Sequence, residues 1–69
     1  MKDFARLVRE RRAELGWTLE ELHKKSGLSV PYISNIEHGR REPRGEKRDA
    51  LLDALGYDIV ILRDRAVGN

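Results

Sequence analysis

GWTLEELHKKSGLSVPYISNIEHGRR, residues 16–41, is the stretch of the chain that decides its fold. Thr18 is followed three residues later by Glu21, which is the spacing of a capping box at the start of a helix. The helix that this box opens continues to about Ser26, and Gly27 supplies the left-handed residue that helices favour after their last turn. The stretch therefore begins with a capped helix of barely two turns.

A further capped helix follows at once. Ser29 is in place to be its N-cap, and Pro31 is tolerated in its first turn. This helix runs over residues 30–37, with Ile33 and Ile36 facing inward. Two short helices joined by a tight turn form a helix-turn-helix, in which the second helix can enter the major groove of DNA.

Helical patterns flank this pair on both sides. Before it, apolar residues recur every three or four positions over residues 4–15, and Gly16 ends that helix. After a basic loop, a fourth helix is predicted from Gly45 or Glu46 to Leu55. The apolar stripes of these flanking helices are formed by Phe4, Leu7, Val8 and Leu15, and by Ala50, Leu51, Leu52 and Leu55. The chain therefore reads as mainly α.

The last segment changes period. Residues 57–63, YDIVILR, are β-branched and almost continuously apolar, which is typical of a strand covered on both faces. Every earlier segment reads as helical, so this strand would be an open edge. We therefore predict that residues 57–69 dimerise the domain of residues 1–56, by antiparallel pairing with the same strand of a second copy. The predicted interface residues are Tyr57, Ile59, Val60, Ile61 and Leu62. Alternatively, residues 59–62 extend the fourth helix or pack as a coil.

Length and composition narrow the function. A chain of 69 residues without cysteine holds one small domain that no disulfide can reinforce. A catalytic cleft is hard to build in so little protein, so we expect no enzyme. His23 and His38 lie on different helices and are too few for a zinc site, so we predict neither metal nor cofactor. The chain also lacks a bilayer-spanning run and a signal-peptide core, which indicates a cytoplasmic protein without membrane contact.

Charge is unevenly distributed, although the net charge is only +2. Residues 1–12 carry five basic and two acidic residues, and residues 38–48 also carry five against two, a balance of +3 in each segment. Arginine outnumbers lysine ten to four, and its planar guanidinium can donate parallel hydrogen bonds to a phosphate. Two basic clusters are typical of a polyanion-binding surface, and a solvated surface of mixed charge is the alternative.

The runs over residues 16–22 and 26–41 together resemble the XRE/Cro family of DNA-binding domains. The resemblance spans about residues 4–56. It implies a lambda-repressor-like helix-turn-helix fold of four to five helices, in which the first turns of the third helix point into the major groove.

The same resemblance implies roles for individual residues. Asn35 would pair with adenine, whereas Val30 and Pro31 would make apolar contact with a thymine methyl group. The glutamine that usually opens the second helix and contacts phosphate is replaced here by Leu19. The implied base-reading residues are Ser29, Val30, Pro31, Ser34 and Asn35. The implied phosphate-binding residues are Thr18, Tyr32, Arg40, Arg41 and Arg44, together with the backbone amides of Trp17 and Thr18.

The tail narrows the resemblance. Residues 55–62 are similar to the HipB-type antitoxins and related small repressors, which pair a C-terminal strand across the dimer axis. This resemblance implies a homodimeric repressor that binds double-stranded DNA at an inverted-repeat operator and regulates its own gene. The resemblance also includes an antitoxin role, with a toxin protein as partner. The alternative is a protein-interaction module that neutralises a toxin or enzyme and binds DNA only secondarily. The missing glutamine and the modest net charge keep that alternative open.

Four further residues invite an interpretation. Glu37 would repel phosphate beside the groove-facing helix, so we expect it to pair with Arg12 or Arg40. Trp17 is expected to anchor helix packing rather than to stack on a base. For Arg11 and Arg12, phosphate contact and simple stabilisation of the negative end of the first helix both remain open.

Overall fold

A computed structural model describes residues 2–57 of the chain as four α-helices. They are α1 (Lys2–Leu15), α2 (Leu19–Ser26), α3 (Val30–Glu37) and α4 (Gly45–Ala54). The mainly α prediction is confirmed, although α1 begins at Lys2 rather than Phe4 and α4 ends at Ala54 rather than Leu55. The predicted strand lies, apart from Tyr57, outside the described residues. Within the described part of the chain, no helix has the length and apolar character needed to cross a membrane.

The two central helices are fixed at their ends by local chemistry. The Thr18 hydroxyl accepts a hydrogen bond from the Glu21 amide at 3.1 Å, and the Glu21 carboxylate accepts one from the Thr18 amide at 2.8 Å. The Ser29 hydroxyl accepts from the Tyr32 amide at 3.2 Å and caps α3 in the same way. Gly27 lies between the helices at a φ of +79°, where a side chain would be strained. Both predicted caps and the predicted glycine stop are confirmed.

One apolar core joins the four helices. Ile33 and Ile36 of α3 are 0% and 1% exposed, so the predicted inward face of this helix is confirmed. Helix α3 packs against α1 and α2, and α2 also packs against α4. The core residues from the other segments are Val8, Leu22, Leu51 and Leu55. Because α3 is held from two sides, its orientation is set by the packing of its neighbours.

For two apolar residues outside this core, the structure confirms one sequence interpretation and corrects the other. Trp17 packs against the core and lies 4.9 Å from the Lys25 ammonium, which confirms its interpretation as a packing anchor. Leu7 was assigned to the apolar stripe of α1 but is 38% exposed. Successive residues of a helix are turned by about 100°, and the neighbouring Val8 takes the inward position.

A buried ion pair joins α1 to α3. Glu37 is only 5% exposed, and its carboxylate accepts two hydrogen bonds from the Arg12 guanidinium, at 2.7 and 3.0 Å. The same guanidinium donates to the Trp17 carbonyl at 2.8 Å. The hydrogen bond to Glu37 raises the pKa of Arg12 above its ordinary value, more than its partial burial lowers it. The prediction that Glu37 pairs internally is confirmed, with Arg12 as the partner.

Other arginines of α1 bind backbone carbonyls. Arg9 donates to the Glu37 carbonyl at 2.9 Å, and Arg11 donates to the Leu55 carbonyl at 2.9 Å. The first contact holds the end of α3 and the second holds the end of α4. For Arg11, the structure therefore shows a role that the sequence interpretation did not include, which is to hold the end of α4, whereas the pairing of Arg12 with Glu37 was one of the predicted alternatives.

Candidate nucleic-acid interface

The five residues predicted to read bases form one continuous surface on α3. They are Ser29 at the N-cap, Val30 and Pro31 in the first turn, and Ser34 and Asn35 in the next turn. Positions four residues apart share a face of a helix, and the opposite face is held in the core by Ile33 and Ile36. Ser29 and Pro31 are exposed, whereas the other three are partly exposed. The surface has mixed apolar and hydrogen-bonding character.

Two of these side chains already make a hydrogen bond within the fold and still keep hydrogen-bonding capacity for a ligand. The Ser29 hydroxyl accepts the capping hydrogen bond, and its own proton can still be donated. The side-chain oxygen of Asn35 accepts from Arg40 at 3.5 Å, which is at the long limit of a hydrogen bond. Releasing this contact costs little, so the Asn35 amide can turn to a base edge.

His38 lies at the end of the same face of α3, and the sequence interpretation gave it no place among the predicted base-reading residues. Its side chain is exposed, and its Nδ1 lies 2.7 Å from the Ser34 carbonyl oxygen. A carbonyl oxygen only accepts, so Nδ1 carries the proton, and Nε2 is the acceptor in the neutral ring. The four-residue spacing from Ser34 was the signal that could have placed His38 beside the predicted base-reading residues.

A cluster of cations lies beside this surface. Arg40 and Arg41 follow α3, and Arg44 precedes α4; all three are exposed. The Tyr32 ring gathers two further contacts, because the Arg41 guanidinium lies 5.4 Å from its centroid and the Lys47 ammonium 5.2 Å from it. A cation over an aromatic ring keeps its N–H groups available for hydrogen bonds. Lys47 thus joins the predicted phosphate-binding set, and its place in the basic run of residues 38–48 was the available signal.

The two basic clusters of the sequence are not equivalent in the structure. In α1, Arg6 pairs with Glu10 at 2.9 Å and Arg12 pairs with Glu37, while other arginines bind carbonyl groups. Much of the positive charge of this helix is therefore used within the fold. The cations of residues 40–48 are exposed next to α3. This second cluster is the one positioned to meet a polyanion.

The N-terminal end of α2 is less available than predicted. The Thr18 amide is taken by the Glu21 carboxylate, and the Trp17 amide donates to the Arg12 carbonyl at 3.1 Å. Glu20 and Glu21 also place negative charge in this first turn. The expectation that these two amides hold a phosphate needs correction, since both donors are engaged. The hydroxyl proton of Thr18 remains available for donation.

The predicted dimer interface is described only at its first residue. Tyr57 is 36% exposed, and its ring centroid lies 5.8 Å from the Arg11 guanidinium. Ile59, Val60, Ile61 and Leu62 lie outside the described residues. Among the described residues, no group of three or more His, Cys, Asp or Glu side chains is arranged to hold a metal ion.

Comparison with known proteins agrees with this geometry. A family model described as helix-turn-helix matches residues 8–62. An uncharacterized HTH-type transcriptional regulator, y4dJ, of Sinorhizobium fredii is 43% identical over 60 residues, which cover 87% of this chain and 73% of that protein. The transcriptional regulator ClgR of Mycobacterium tuberculosis is 34% identical over 56 residues, which cover 81% of this chain and 50% of that protein.

A third relative extends the same pattern. The HTH-type transcriptional regulator DdrOP3 of Deinococcus deserti is 35% identical over 52 residues, which cover 75% of this chain and 40% of that protein. The chain therefore spans half or less of the length of ClgR and DdrOP3. A search of solved structures gave no significant match.

Proposed function

This chain belongs to the XRE-type helix-turn-helix family of DNA-binding transcriptional regulators, and on that basis we propose that it is a sequence-specific repressor. The observation that carries the proposal is the outward face of α3 with exposed cations beside it. A helix of this kind reads base edges in the major groove, while neighbouring cations hold the phosphates. The proposal assigns the chain no catalytic step.

In this proposal, the surface from Ser29 to Asn35 reads the bases. The Asn35 amide offers one donor and one acceptor, which match the N6 and N7 groups of adenine. Val30 and Pro31 provide apolar contact for a thymine methyl group. Ser29 and Ser34 can each bond to several base edges, so they add contacts with little selectivity.

In this proposal, residues beside α3 bind the phosphates. Arg40, Arg41 and Arg44 are exposed cations, and Lys47 lies with Arg41 on the Tyr32 ring. Tyr32 thereby holds two cations at the edge of the base-reading surface. Thr18 contributes its hydroxyl proton from the start of α2.

In this proposal, the tail forms the dimer interface. Residues 1–56 form the DNA-binding domain, and residues 57–69 pair as a strand with the same segment of a second copy. A two-fold axis places two recognition helices about 34 Å apart, so the operator is an inverted repeat. In full, we propose a cytoplasmic repressor that binds its own promoter and has a toxin as a second partner.

One observation favours a different function. The first turn of α2 carries Glu20 and Glu21. The family resemblance implies a phosphate contact from a glutamine at the start of this helix, and Leu19 cannot replace that polar contact. A protein-interaction module that neutralises a toxin or enzyme would need no phosphate contact at that point. This alternative predicts a chain that folds and binds a protein partner but selects no duplex.

The deciding experiment is selection of bound duplexes from a random pool, with the purified chain at about 100 mM salt, where non-specific binding is weakened. We expect enrichment of an inverted repeat. Enrichment of a single half-site would support base reading but contradict the dimer. Folded protein that enriches no sequence would contradict the repressor and favour the interaction module.

A further inference from the structure

His38 follows α3 directly and carries an imidazole to which the proposed function assigns no role. The side chain is exposed, and its Nδ1 donates to the Ser34 carbonyl oxygen at 2.7 Å. This contact holds the ring against the last turn of α3 and fixes the proton on Nδ1. Nε2 is therefore the atom at which the ring changes, from an acceptor in the neutral imidazole to a donor in the imidazolium.

The length of α3 brings this ring to the edge of the groove that the helix would enter. Helix α3 has eight residues, Val30–Glu37, which corresponds to a length of about 12 Å. The major groove of DNA is also about 12 Å wide, and the phosphates lie along its edges. When the first turns of α3 meet the base edges, as the proposed function requires, the end of the helix lies beside a phosphate backbone.

His38 lies between the residues assigned to bases and those assigned to phosphates. Asn35 precedes it in α3, and Arg40 follows it in the next loop. The Arg40 guanidinium lies 3.5 Å from the side-chain oxygen of Asn35, so the loop folds back on the end of the helix. A phosphate that Arg40 binds is therefore also near the imidazole.

The charged groups of the fold around this ring largely balance. They are Asp3, Arg6 and Arg9 of α1 and Glu37 of α3, which line one open cavity of about 530 Å³ with His38, and Arg40 of the following loop. Two of them are paired within the fold, because Glu37 binds Arg12 and Arg6 binds Glu10. Asp3 and Arg9 offset each other, and Arg40 is assigned to a phosphate. A bound duplex therefore brings the largest net charge to the ring, and that charge is negative.

We infer that His38 binds a DNA phosphate through Nε2 in its imidazolium form, and that DNA binding by this chain is therefore coupled to uptake of a proton. The neutral ring presents a lone pair at Nε2, which a phosphate oxygen repels. The imidazolium donates a charge-assisted hydrogen bond from the same atom, and the negative end of the α3 dipole also favours a cation there. The inference rests on the proposed function and adds to it a further phosphate contact and a dependence on pH.

Binding titrations across pH and salt test this inference. They use the purified chain and a duplex of mixed sequence, because a phosphate contact does not depend on the bases. Between about pH 8 and about pH 5.5 we expect the affinity to rise at least several-fold, since histidine gains its charge in this range. The slope of log K against log salt should steepen by about one unit for each chain bound.

Two variants of His38 separate a phosphate contact from a role in capping α3. His38→Gln cannot gain a charge, so it should lose both the rise in affinity and the steeper salt slope at low pH. His38→Lys carries a cation throughout this range, so it should bind more tightly than the unmodified chain at about pH 8 and depend less on pH. A residue that only capped the helix would not gain affinity from the lysine.

His23→Gln is the matched control. The Nδ1 of His23 also donates to a backbone carbonyl, that of Leu28 at 2.8 Å, but His23 lies on α2 rather than at the end of α3. This variant should keep the pH dependence of the unmodified chain. Circular dichroism at both pH values verifies that each variant is folded.

Four results would overturn the inference. They are an affinity of the unmodified chain that does not change with pH, a pH dependence that persists in His38→Gln, a loss of that dependence in His23→Gln instead, and a lysine variant that binds no more tightly at about pH 8. A folded chain that binds no duplex at either pH would overturn the proposed function together with the inference. Binding without proton uptake would overturn the inference alone, so the two failures are distinguishable.

Discussion

At the scale of single residues, Arg12 links three segments of the fold. It lies on α1, binds the Glu37 carboxylate at the end of α3 and binds the Trp17 carbonyl before α2. A bidentate guanidinium–carboxylate pair fixes direction as well as distance. The orientation of α3 therefore depends in part on this charge pair.

We predict that Glu37→Gln lowers the free energy of unfolding by about 3 kcal/mol, because it leaves the Arg12 charge partly buried without a counter-charge. Urea unfolding followed by circular dichroism measures the change. Glu10→Gln is the matched control, since Glu10 pairs with Arg6 at the surface, and its cost should stay below about 0.5 kcal/mol. Similar losses in both variants would contradict a structural role for the buried pair.

At the same scale, Asn35→Ala tests base reading. We expect the variant to lose about 1–3 kcal/mol of discrimination at one base pair of each half-site, and to keep its preference elsewhere. Selection from a random pool gives both measurements. Lys24→Ala, an exposed change on the last turn of α2, should leave the selected sequence unchanged. An unchanged preference in the Asn35 variant would show that this amide does not read a base.

At the scale of elements, the turn between α2 and α3 is held by side chains as well as by Gly27. The Nδ1 of His23 donates to the Leu28 carbonyl at 2.8 Å, and the Leu28 amide donates to the Ser26 hydroxyl at 3.1 Å. These contacts satisfy backbone groups that two short helices leave open. These contacts therefore help to fix the angle between the helices, together with the packing of α3 against α1 and α2.

We predict that Gly27→Ala costs about 1 kcal/mol of stability, because alanine is strained at a φ of +79°. No atom lies within 4 Å of the added Cβ, so the cost comes from the backbone alone. Gly27→Asn should cost less, since asparagine tolerates the left-handed region. Thermal unfolding of the two variants measures the difference, and a larger loss for asparagine would contradict this account.

At the scale of the whole molecule, the two basic clusters of the sequence are held differently. Residues 1–12 and 38–48 have the same balance of +3. The guanidinium groups of α1 largely bind carboxylates and carbonyls of the same chain, whereas the second cluster is exposed beside α3. We therefore expect the two clusters to contribute differently to DNA binding.

We predict that Arg40→Ala or Arg44→Ala reduces the slope of log K against log salt by about one unit, because each removes one phosphate contact. Affinity should fall for all sequences alike. Arg6→Ala removes the same charge from the other basic cluster and should leave the slope unchanged. Binding titrations over a range of salt concentrations measure the three slopes. A similar reduction with Arg6→Ala would show that α1 also meets the phosphates.

The sequence predicted the parts of this molecule that depend on short-range chemistry. The caps at Thr18 and Ser29 and the left-handed Gly27 follow from neighbouring residues. The internal partner of Glu37 is 25 positions away, and it was predicted only because an acidic residue is unfavourable beside a helix that is expected to meet DNA. The carbonyl contacts of Arg9 and Arg11 could not be predicted in the same way, because they join residues 28 and 44 positions apart. The exposure of Leu7 likewise depends on how α1 is rotated against the core.

The residues on the outward face of α3 are not the residues that hold this helix in place. Ile33, Ile36 and Glu37 anchor it, whereas the Asn35 side chain has a single long contact to the adjacent loop. Mutations at residues 30, 31, 34 and 35 can therefore accumulate with little loss of stability. Duplicated copies of such a gene would diverge quickly in the sites they recognise, and a library randomised at these four positions should consist mainly of folded proteins.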